Sequence, residues 1–265
     1  MDVVIGASGH LGNVLTQELV SVGGEVRPVF RSSPPFESCA EPYFCPSTDV
    51  GSLTAAFDGA DTVYHTAGFV SIGARAYRAL YAANVELTER VIEACLLAKI
   101  RRLVFTGTIE VFDLLSGDFP INEQSAIRPN HTIMPYGKSK ALAVLEIERA
   151  VREEGLDAVT VFPTGFIGPF DYKISPMTKL VIDFVMRRVP MGLAGGFDFV
   201  DARDVASGMI SAAEKGKSGE RFMLPGAYAT VSDIFSTLGR ITGSPAPRFQ
   251  IPAAATKAVG LVSEL

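Results

Sequence analysis

The sequence predicts a doubly wound α/β fold, a parallel sheet covered by helices on both faces. Two observations carry that expectation. Short β-branched runs alternate with longer stretches of helical period from the N-terminus to about Pro163, and a glycine-rich turn joins the first run to the first helical stretch. Of the 265 residues, 48% are hydrophobic and 20% charged, which suits one sizeable core or one core with a small appendage.

Taken in order, the strand-like runs are Val3 to Ile5, Val26 to Phe30, Thr62 to His65, Leu103 to Thr106 and Val159 to Phe162. Each is short and nearly continuous in apolar character, as in strands buried on both faces. Helical period appears at Leu11 to Val22, Ala74 to Ala98 and Tyr136 to Glu154. The rhythm changes at Pro163 to Pro169, where Gly and Pro are frequent. Helical stretches follow at Met177 to Arg188, Val205 to Lys215 and Val231 to Ile241, with a short apolar run at Arg221 to Leu224. This half reads as a smaller, loop-rich region over the carboxyl edge of the sheet, dividing the chain into residues 1–165 and 166–265. The Ala- and Pro-rich stretch from Ser244 to Leu265 predicts no element. Sheets of this kind bind ligands beyond the carboxyl ends of their strands, so chemistry is expected there.

Composition removes several function classes. The formal net charge is −5 and the pI about 5.3, whereas a non-specific nucleic-acid binder needs a basic face. No stretch approaches the roughly 18 apolar residues of a membrane span. Met1 to Gly6 runs straight into a strand-like pattern without a basic leader, and the three cysteines, Cys39, Cys45 and Cys95, have no metal-ligand spacing. Reduced thiols and a cytoplasmic location are expected. Three histidines without a carboxylate or cysteine cluster make a catalytic metal improbable. No nucleophile elbow is present, which argues against acyl transfer.

The turn Gly6-Ala7-Ser8-Gly9-His10-Leu11-Gly12 carries the first chemical signal. In dinucleotide-binding folds one glycine allows the tight turn, another the approach of backbone to pyrophosphate, and a third the close packing of helix on strand, while the helix N-terminus faces the anion. The spacing here is G-x-x-G-x-x-G rather than G-x-G-x-x-G, and an ordinary Gly-rich turn is the plain alternative. The second strand ends in Phe30-Arg31-Ser32 without a carboxylate. An acidic residue there would select NAD through the ribose 2′-OH, whereas an Arg can pair with a 2′-phosphate. NADP is therefore expected, with Arg31 as the phosphate clamp and Ser32 as a helper, and NAD second.

Tyr136-Gly137-Lys138-Ser139-Lys140 opens a helix after Pro135. At about 3.6 residues per turn, Tyr136 and Lys140 share a face. An ammonium beside a phenol favours the phenolate and is expected to draw its pKa down from about 10. Such a tyrosine exchanges a proton with a carbonyl or alcohol oxygen. A hydroxyl that hydrogen-bonds the same oxygen is expected at a strand's carboxyl end, with Thr108 preferred and Thr106 second. Asn84 falls on the apolar stripe of its helix, where a structural bridge to loop backbone competes equally with a place in the site. His131 reads as a surface loop residue, His10 as a loop position near the phosphates, and Asp201, Arg203 and Asp204 as an N-cap and ion-pair set.

The glycine loop, Asp49-Val50, His65-Thr66-Ala67-Gly68, Asn84-Val85, Thr106-Gly107-Thr108-Ile109-Glu110-Val111, Tyr136 to Lys140 and Phe162 to Pro169 together resemble the extended short-chain dehydrogenase/reductase family (NAD-dependent epimerase/dehydratases). Phe162 to Lys173 is similar to the dihydroflavonol 4-reductase-like branch, and Thr106 to Val111 to 3β-hydroxysteroid dehydrogenases. The resemblance spans almost the whole chain. It implies a Rossmann fold and a catalytic trio of Thr108, Tyr136 and Lys140, with Thr standing where relatives commonly have Ser. It further implies Asp49 and Val50 near the adenine and His65, Thr66 and Ala67 along the dinucleotide. Asn84 and Thr106 fall at family cofactor-site positions, and Pro163, Thr164, Gly165 and Phe166 border the nicotinamide. Relatives usually continue some tens of residues past the point matching Ile251, so the chain is short or truncated beside them. Family members pair the helices matching Ala74 to Ala98 and Tyr136 to Glu154 in a four-helix interface, which makes a homodimer an expected partner state.

The resulting expectation is an NADP-dependent reductase of a small ketone or aldehyde. Tyr136 would protonate the carbonyl oxygen, Thr108 would orient it, and Lys140 would tune the phenol and hold the nicotinamide ribose. The alternatives are a nucleotide-sugar epimerase or dehydratase, whose diphosphate would need groups such as Lys173, Lys179, Arg187 and Arg188, and a dinucleotide-binding sensor without catalysis.

Overall fold

Alternation along the strands builds two cores, one on each face of a sheet. The computed structural model describes residues 1–71, 73–113, 120–245, 247 and 250–251. Its first strand, β1 (Asp2–Ile5), sends Val3 and Ile5 to one face and Val4 to the other. Strand β5 (Arg102–Thr106) repeats the pattern, with Leu103 and Phe105 on the first face and Val104 on the second. Successive strand side chains point to opposite faces, so a fully apolar run is what a sheet covered on both sides requires.

The large sheet adds β2 (Val26–Phe30), β3 (Tyr43–Phe44), β4 (Thr62–His65), β6 (Ala158–Pro163) and β10 (Arg221–Leu224). All seven strands are parallel, in the order β10-β6-β5-β4-β1-β2-β3. The chain runs outward from β1 in one direction and from β4 in the other, so the strand order reverses between these two neighbours. Their carboxyl ends form the crevice where such sheets receive ligands.

One face is covered by α1 (His10–Ser21) and α7 (Ala202–Lys215), through Leu11, Val14, Leu15 and Leu19 and through Val205, Ala206 and Met209. The other is covered by α2 (Val50–Ala56), α4 (Leu87–Ala98) and α5 (Pro135–Glu154). Helix α5 stops where Gly155 takes a left-handed conformation at φ 73°, which glycine adopts without Cβ strain.

The stretch Ala74 to Ala98, expected as one helix, is broken into four pieces. A 3₁₀ turn (Ala74–Ala76), α3 (Tyr77–Tyr81) and a π-helical turn (Ala82–Glu86) precede α4. The wide turn is centred on Asn84, whose amide is tied to a loop and to another helix, so side-chain hydrogen bonds override the regular ladder.

Beyond β6 a second, three-stranded sheet forms from β7 (Gly165–Ile167), β9 (Gly196–Asp201) and β11 (Ala227–Thr230), in the order β11-β9-β7. Helix α6 (Pro176–Val185) and helix α8 (Val231–Thr242) accompany it, and β8 (Gly192–Leu193) pairs with β12 (Gln250–Ile251). Strands β7, β9 and β11 were not expected from the sequence. Residues 202–224 leave this region and return to the large sheet as α7 and β10. Asp201 caps α7 by accepting from the Arg203 N–H and pairs with the Arg203 guanidinium at 2.6 Å, as expected for that set. Most of Ser244 to Leu265 lies outside the described residues.

At the amino edge of the sheet Arg102 joins three elements. Its guanidinium grips Asp157 through Nε and Nη2 at 2.8 and 3.1 Å and donates from Nη1 to the carbonyls of Ala213 and Gly216 at 2.8 and 2.6 Å. These carbonyls end α7, where helices leave acceptors unpaired. Arg102→Met is expected to lower stability by about 2–4 kcal/mol, because four acceptors lose a buried charged donor. Urea denaturation measures the loss, and dinucleotide binding by the folded protein should persist, since the change lies at the opposite edge of the sheet.

Candidate active site

At the end of β1 the backbone of Gly6 turns through φ 86°. A Cβ there would lie 2.5 Å from the Ala67 nitrogen, and one on Gly12 would lie 2.3 Å from the Gly6 carbonyl and 2.6 Å from Thr66 Oγ1. No other residue fits either position. The turn is closed by the Gly9 N–H donating to the Gly6 carbonyl at 2.8 Å, and Thr66 Oγ1 donates to the Ile5 carbonyl at 2.8 Å. Gly9 then starts α1, with no capping side chain and no acidic residue in the first turn. The free N–H groups of His10, Leu11 and Gly12 are thus an anion-facing helix start, while the Leu11 side chain belongs to the core.

The next strand end carries Arg31 and Ser32, both exposed. Asp49 caps α2. Its carboxylate accepts from the Ser52 N–H at 2.9 Å, from Ser52 Oγ at 2.7 Å and from Ser47 Oγ, and these bonds hold its pKa well below the usual carboxylate range. Val50, beside it, packs against the core under α2.

Gly137 brings Tyr136 and the β5 loop together. A Cβ at Gly137 would stand 2.6 Å from the Glu110 carbonyl oxygen, so the first turn of α5 lies directly on the 3₁₀ turn Ile109–Val111. Thr108 caps that turn, accepting from the Glu110 N–H at 3.4 Å, and its own hydroxyl proton has no acceptor among the described residues. Thr106 turns to the other face, where its hydroxyl donates to Met209 Sδ of α7 at 3.8 Å. Of the two threonines, Thr108 therefore shares the α5 side with Tyr136.

Lys140 is 5% exposed, and its Nζ sits 4.2 Å from the centre of the Phe105 ring. Burial without a carboxylate partner lowers its pKa to about 7. Tyr136 behaves differently from the sequence expectation. Its pKa is raised, first by burial and then by the charge of Glu110. The proximity of an amine does not draw the phenol down here, because desolvation penalises both charged forms and Glu110 is the charge the phenol faces. Glu110 is itself pushed up by burial, and no local motif marks its influence on Tyr136.

Two polar residues of the motif set act as braces. Asn84 accepts from the Phe69 N–H at 2.8 Å and donates to the Phe69 carbonyl and to Ser139 Oγ, both at 2.9 Å. Both amide protons are engaged, which is the structural bridge considered from the sequence. His65 points into the core rather than along the crevice. Its Nε2 lies 3.1 Å from Thr88 Oγ1, whose proton goes to the Asn84 carbonyl at 2.7 Å. The imidazole must then donate from Nε2, and burial holds it neutral with a pKa of about 3.

Pro163 ends β6, Gly165 opens β7, and between them Thr164 Oγ1 is buried without a hydrogen-bond partner. Phe166 lies 5.6 Å from the His10 ring. His131 is exposed and pairs with Asp113 at 2.8 Å, a surface position as expected. Lys173 reaches the glycine loop, donating to Ser8 Oγ at 2.8 Å, a link between positions too distant in sequence for any motif to reveal. Among the described residues no cluster of His, Cys, Asp or Glu could hold a metal ion, and no helix is long and apolar enough to cross a membrane. The glycine cradle, the uncapped helix start and the orphaned Thr164 hydroxyl fit a dinucleotide, which Gly6 to Gly12, Thr66, Ala67 and the backbone from Pro163 to Phe166 would hold.

Comparison with known proteins agrees with this geometry. The sequence is 32% identical to sterol demethylase protein B of Methylococcus capsulatus over 99% of this chain and 80% of that protein. It is 30% identical to a putative dihydroflavonol 4-reductase of Synechocystis over 94% of this chain and 74% of that one. The crystal structure of gox2253 superposes with a TM-score of 0.88 at 28% identity, covering 100% of this chain and 81% of that one. A profile of the NAD dependent epimerase/dehydratase family matches residues 3–224, from β1 through β10. A match of that extent takes in the whole large sheet and both helical layers, and the chain belongs to the NAD-dependent epimerase/dehydratase family of extended short-chain dehydrogenase/reductase enzymes.

Proposed function

We propose that this protein is an NADP-dependent reductase that converts an apolar ketone or aldehyde to an alcohol. The observation that carries the reading is the seating of α5 on the β5 loop, where Gly137 lies against the Glu110 carbonyl and Tyr136 shares a side with Thr108, its phenol pKa raised by burial and by Glu110. A protonated phenol is a donor, which suits carbonyl reduction; alcohol oxidation would need the phenolate.

A nicotinamide dinucleotide supplies the reducing equivalent when bound. Tyr136 gives its proton to the carbonyl oxygen. Thr108 donates a hydrogen bond to the same oxygen and orients it. Lys140, with a pKa of about 7, binds ribose hydroxyls and, when protonated, steadies the phenolate that remains. Arg31 is exposed, with no carboxylate at the neighbouring positions, which supports a 2′-phosphate and hence NADP. Residues 1–165 carry the cofactor in this reading, and the region from residue 166 shapes the substrate end.

The choice of an apolar substrate over a nucleotide sugar rests on surface chemistry. Ile167, Phe170, Ile174, Ile182, Val185 and Met186 are exposed around β7 and α6, more apolar area than scattered surface residues require. The names of the two relatives, a sterol demethylase protein and a putative dihydroflavonol 4-reductase, support a ring-bearing, weakly polar substrate.

NADPH absorbance followed against apolar ketones, aldehydes and nucleotide sugars tests the reading. Consumption with an apolar carbonyl is expected; turnover of a nucleotide sugar without net cofactor consumption would overturn it. Tyr136→Phe should lower kcat by on the order of 10²–10⁴-fold while NADPH titration stays close to wild type. Arg31→Ala should weaken NADPH about tenfold or more and NADH by less than about twofold.

Lys140 makes a separate prediction for the cofactor-free protein. Its amine titrates near about 7 when folded, against a reference value of 10.5. Between those values the unfolded chain holds one proton more, so this residue makes stability rise with pH. The stability of wild type relative to Lys140→Met should therefore increase from neutrality towards pH ~10, with a slope approaching ~1.4 kcal/mol per pH unit. Urea denaturation across that range reads it, and a flat difference would contradict a buried, near-neutral amine.

A further inference from the structure

The segment from Pro169 to Ile174, between β7 and α6, is docked on both sides of the cofactor crevice. On the glycine-loop side, the Pro169 carbonyl accepts from His10 Nε2 at 2.9 Å and the Phe170 carbonyl from Asn13 Nδ2 at 3.3 Å. On the β2 side, the Tyr172 ring stacks on Phe36, with centroids 4.8 Å apart and planes 26° apart. Phe36 in turn meets Phe30 edge-on at 6.4 Å. Phe170 and Ile174 both adopt positive φ, 68° and 53°, a conformation that strains residues carrying a side chain. Surrounding contacts must therefore hold this shape.

That docking carries Lys173 to the glycine loop, where its Nζ donates to Ser8 Oγ at 2.8 Å. Arg31 is near enough for its charge to act on Lys173, and together with burial it lowers the lysine pKa. Neither cation forms an ion pair with a carboxylate among the described residues. The closest carboxylate in sequence, Asp171, is engaged elsewhere, accepting from the Ser175 N–H and from Thr178 Oγ1, each at 2.7 Å. Lys173 and the Ser8 hydroxyl thus meet at the glycine loop within reach of the Arg31 charge, with no carboxylate paired to either cation among the described residues. Such a set repels itself unless an anion occupies it, and a phosphate monoester brings a charge of about −1.5 to −2 with several acceptor oxygens. Pyrophosphate belongs at the start of α1, whereas Arg31 stands at the end of β2, on the ribose side.

We propose that Lys173 is the second cation of a receptor for the 2′-phosphate of NADP, completing with Arg31 and Ser8 a site shared between the two halves of the chain. The inference rests on the NADP reading above and extends it, because it makes the segment before α6 part of cofactor discrimination. Selection of the phosphorylated cofactor then depends on the same strap that leads into the apolar substrate region.

Titration of the protein with NADPH, NADH, 2′,5′-ADP and 5′-AMP tests this without turnover. Lys173→Gln is expected to weaken NADPH and 2′,5′-ADP about tenfold or more, with NADH and 5′-AMP changed less than about twofold. Lys173→Arg should restore most of the loss. The double variant with Arg31→Ala should lose less than the product of the single losses, because both cations share one phosphate. Equal weakening of NADPH and NADH would overturn the proposal by assigning Lys173 to the pyrophosphate, and no weakening would overturn it outright. If wild type binds NADH as tightly as NADPH, the NADP reading falls and this inference with it. If wild type prefers NADPH and only Arg31→Ala removes the preference, the NADP reading stands and Lys173 alone is excluded.

Discussion

The architecture depends on a steric constraint at the junction of β1, α1 and β4. The turn that starts α1 nests against the end of β4 because Gly6 and Gly12 have no Cβ; either side chain would come within 2.5 Å of backbone. That approach sets the helix start against the crevice where the strand order reverses. It also brings Thr66 and Ala67 to the turn, since Thr66 Oγ1 bonds the Ile5 carbonyl. The remaining site is arranged around this corner, and a single methyl group would push the layers apart.

Electrostatics at the other side of the crevice follow from dryness. Lys140 on the Phe105 ring, neutral His65 bonded to Thr88, and Tyr136 facing Glu110 are all groups whose charged forms burial disfavours. An amine balanced near neutrality is close to changing state, whereas a phenol whose pKa is raised keeps its proton until a reacting oxygen takes it. Small changes in local charge can then move a proton on or off Lys140, whereas a solvated ammonium would sit far from its titration point. The braces around Asn84 serve this arrangement mechanically, tying the loop after β4 to α5 through Phe69 and Ser139.

Most of the large sheet was legible because its strands are buried on both faces, so Val3 to Ile5 or Leu103 to Thr106 stand out as apolar blocks. The glycine loop and the Tyr136–Lys140 pair were legible because their chemistry is local. Other features were not. The small sheet contains alternation at Phe197 and Phe199, but β7 and β11 have only three and four residues and none of the three strands is an apolar block buried on both faces. The π turn depends on partners of Asn84 at positions 69 and 139, invisible to helical period. The direction of the Tyr136 shift was misjudged because sequence spacing reveals a neighbouring charge on the same helix, not the desolvation or the carboxylate brought by another element. Lys173 meets Ser8 only once the chain has folded.

Strand β10 closes the large sheet beside β6 although almost sixty residues separate them, and α7, made just before it, covers the face shared with α1. During synthesis the ribosome therefore releases β1 through β6 while one side of the sheet is covered by α1 alone and its outer strand has unpaired peptide groups. At about 5–20 residues per second, that exposure lasts for seconds. Open apolar edges of this kind are templates for pairing with other nascent chains, so safe biogenesis of this molecule hinges on how quickly its late-made strand arrives to seal it.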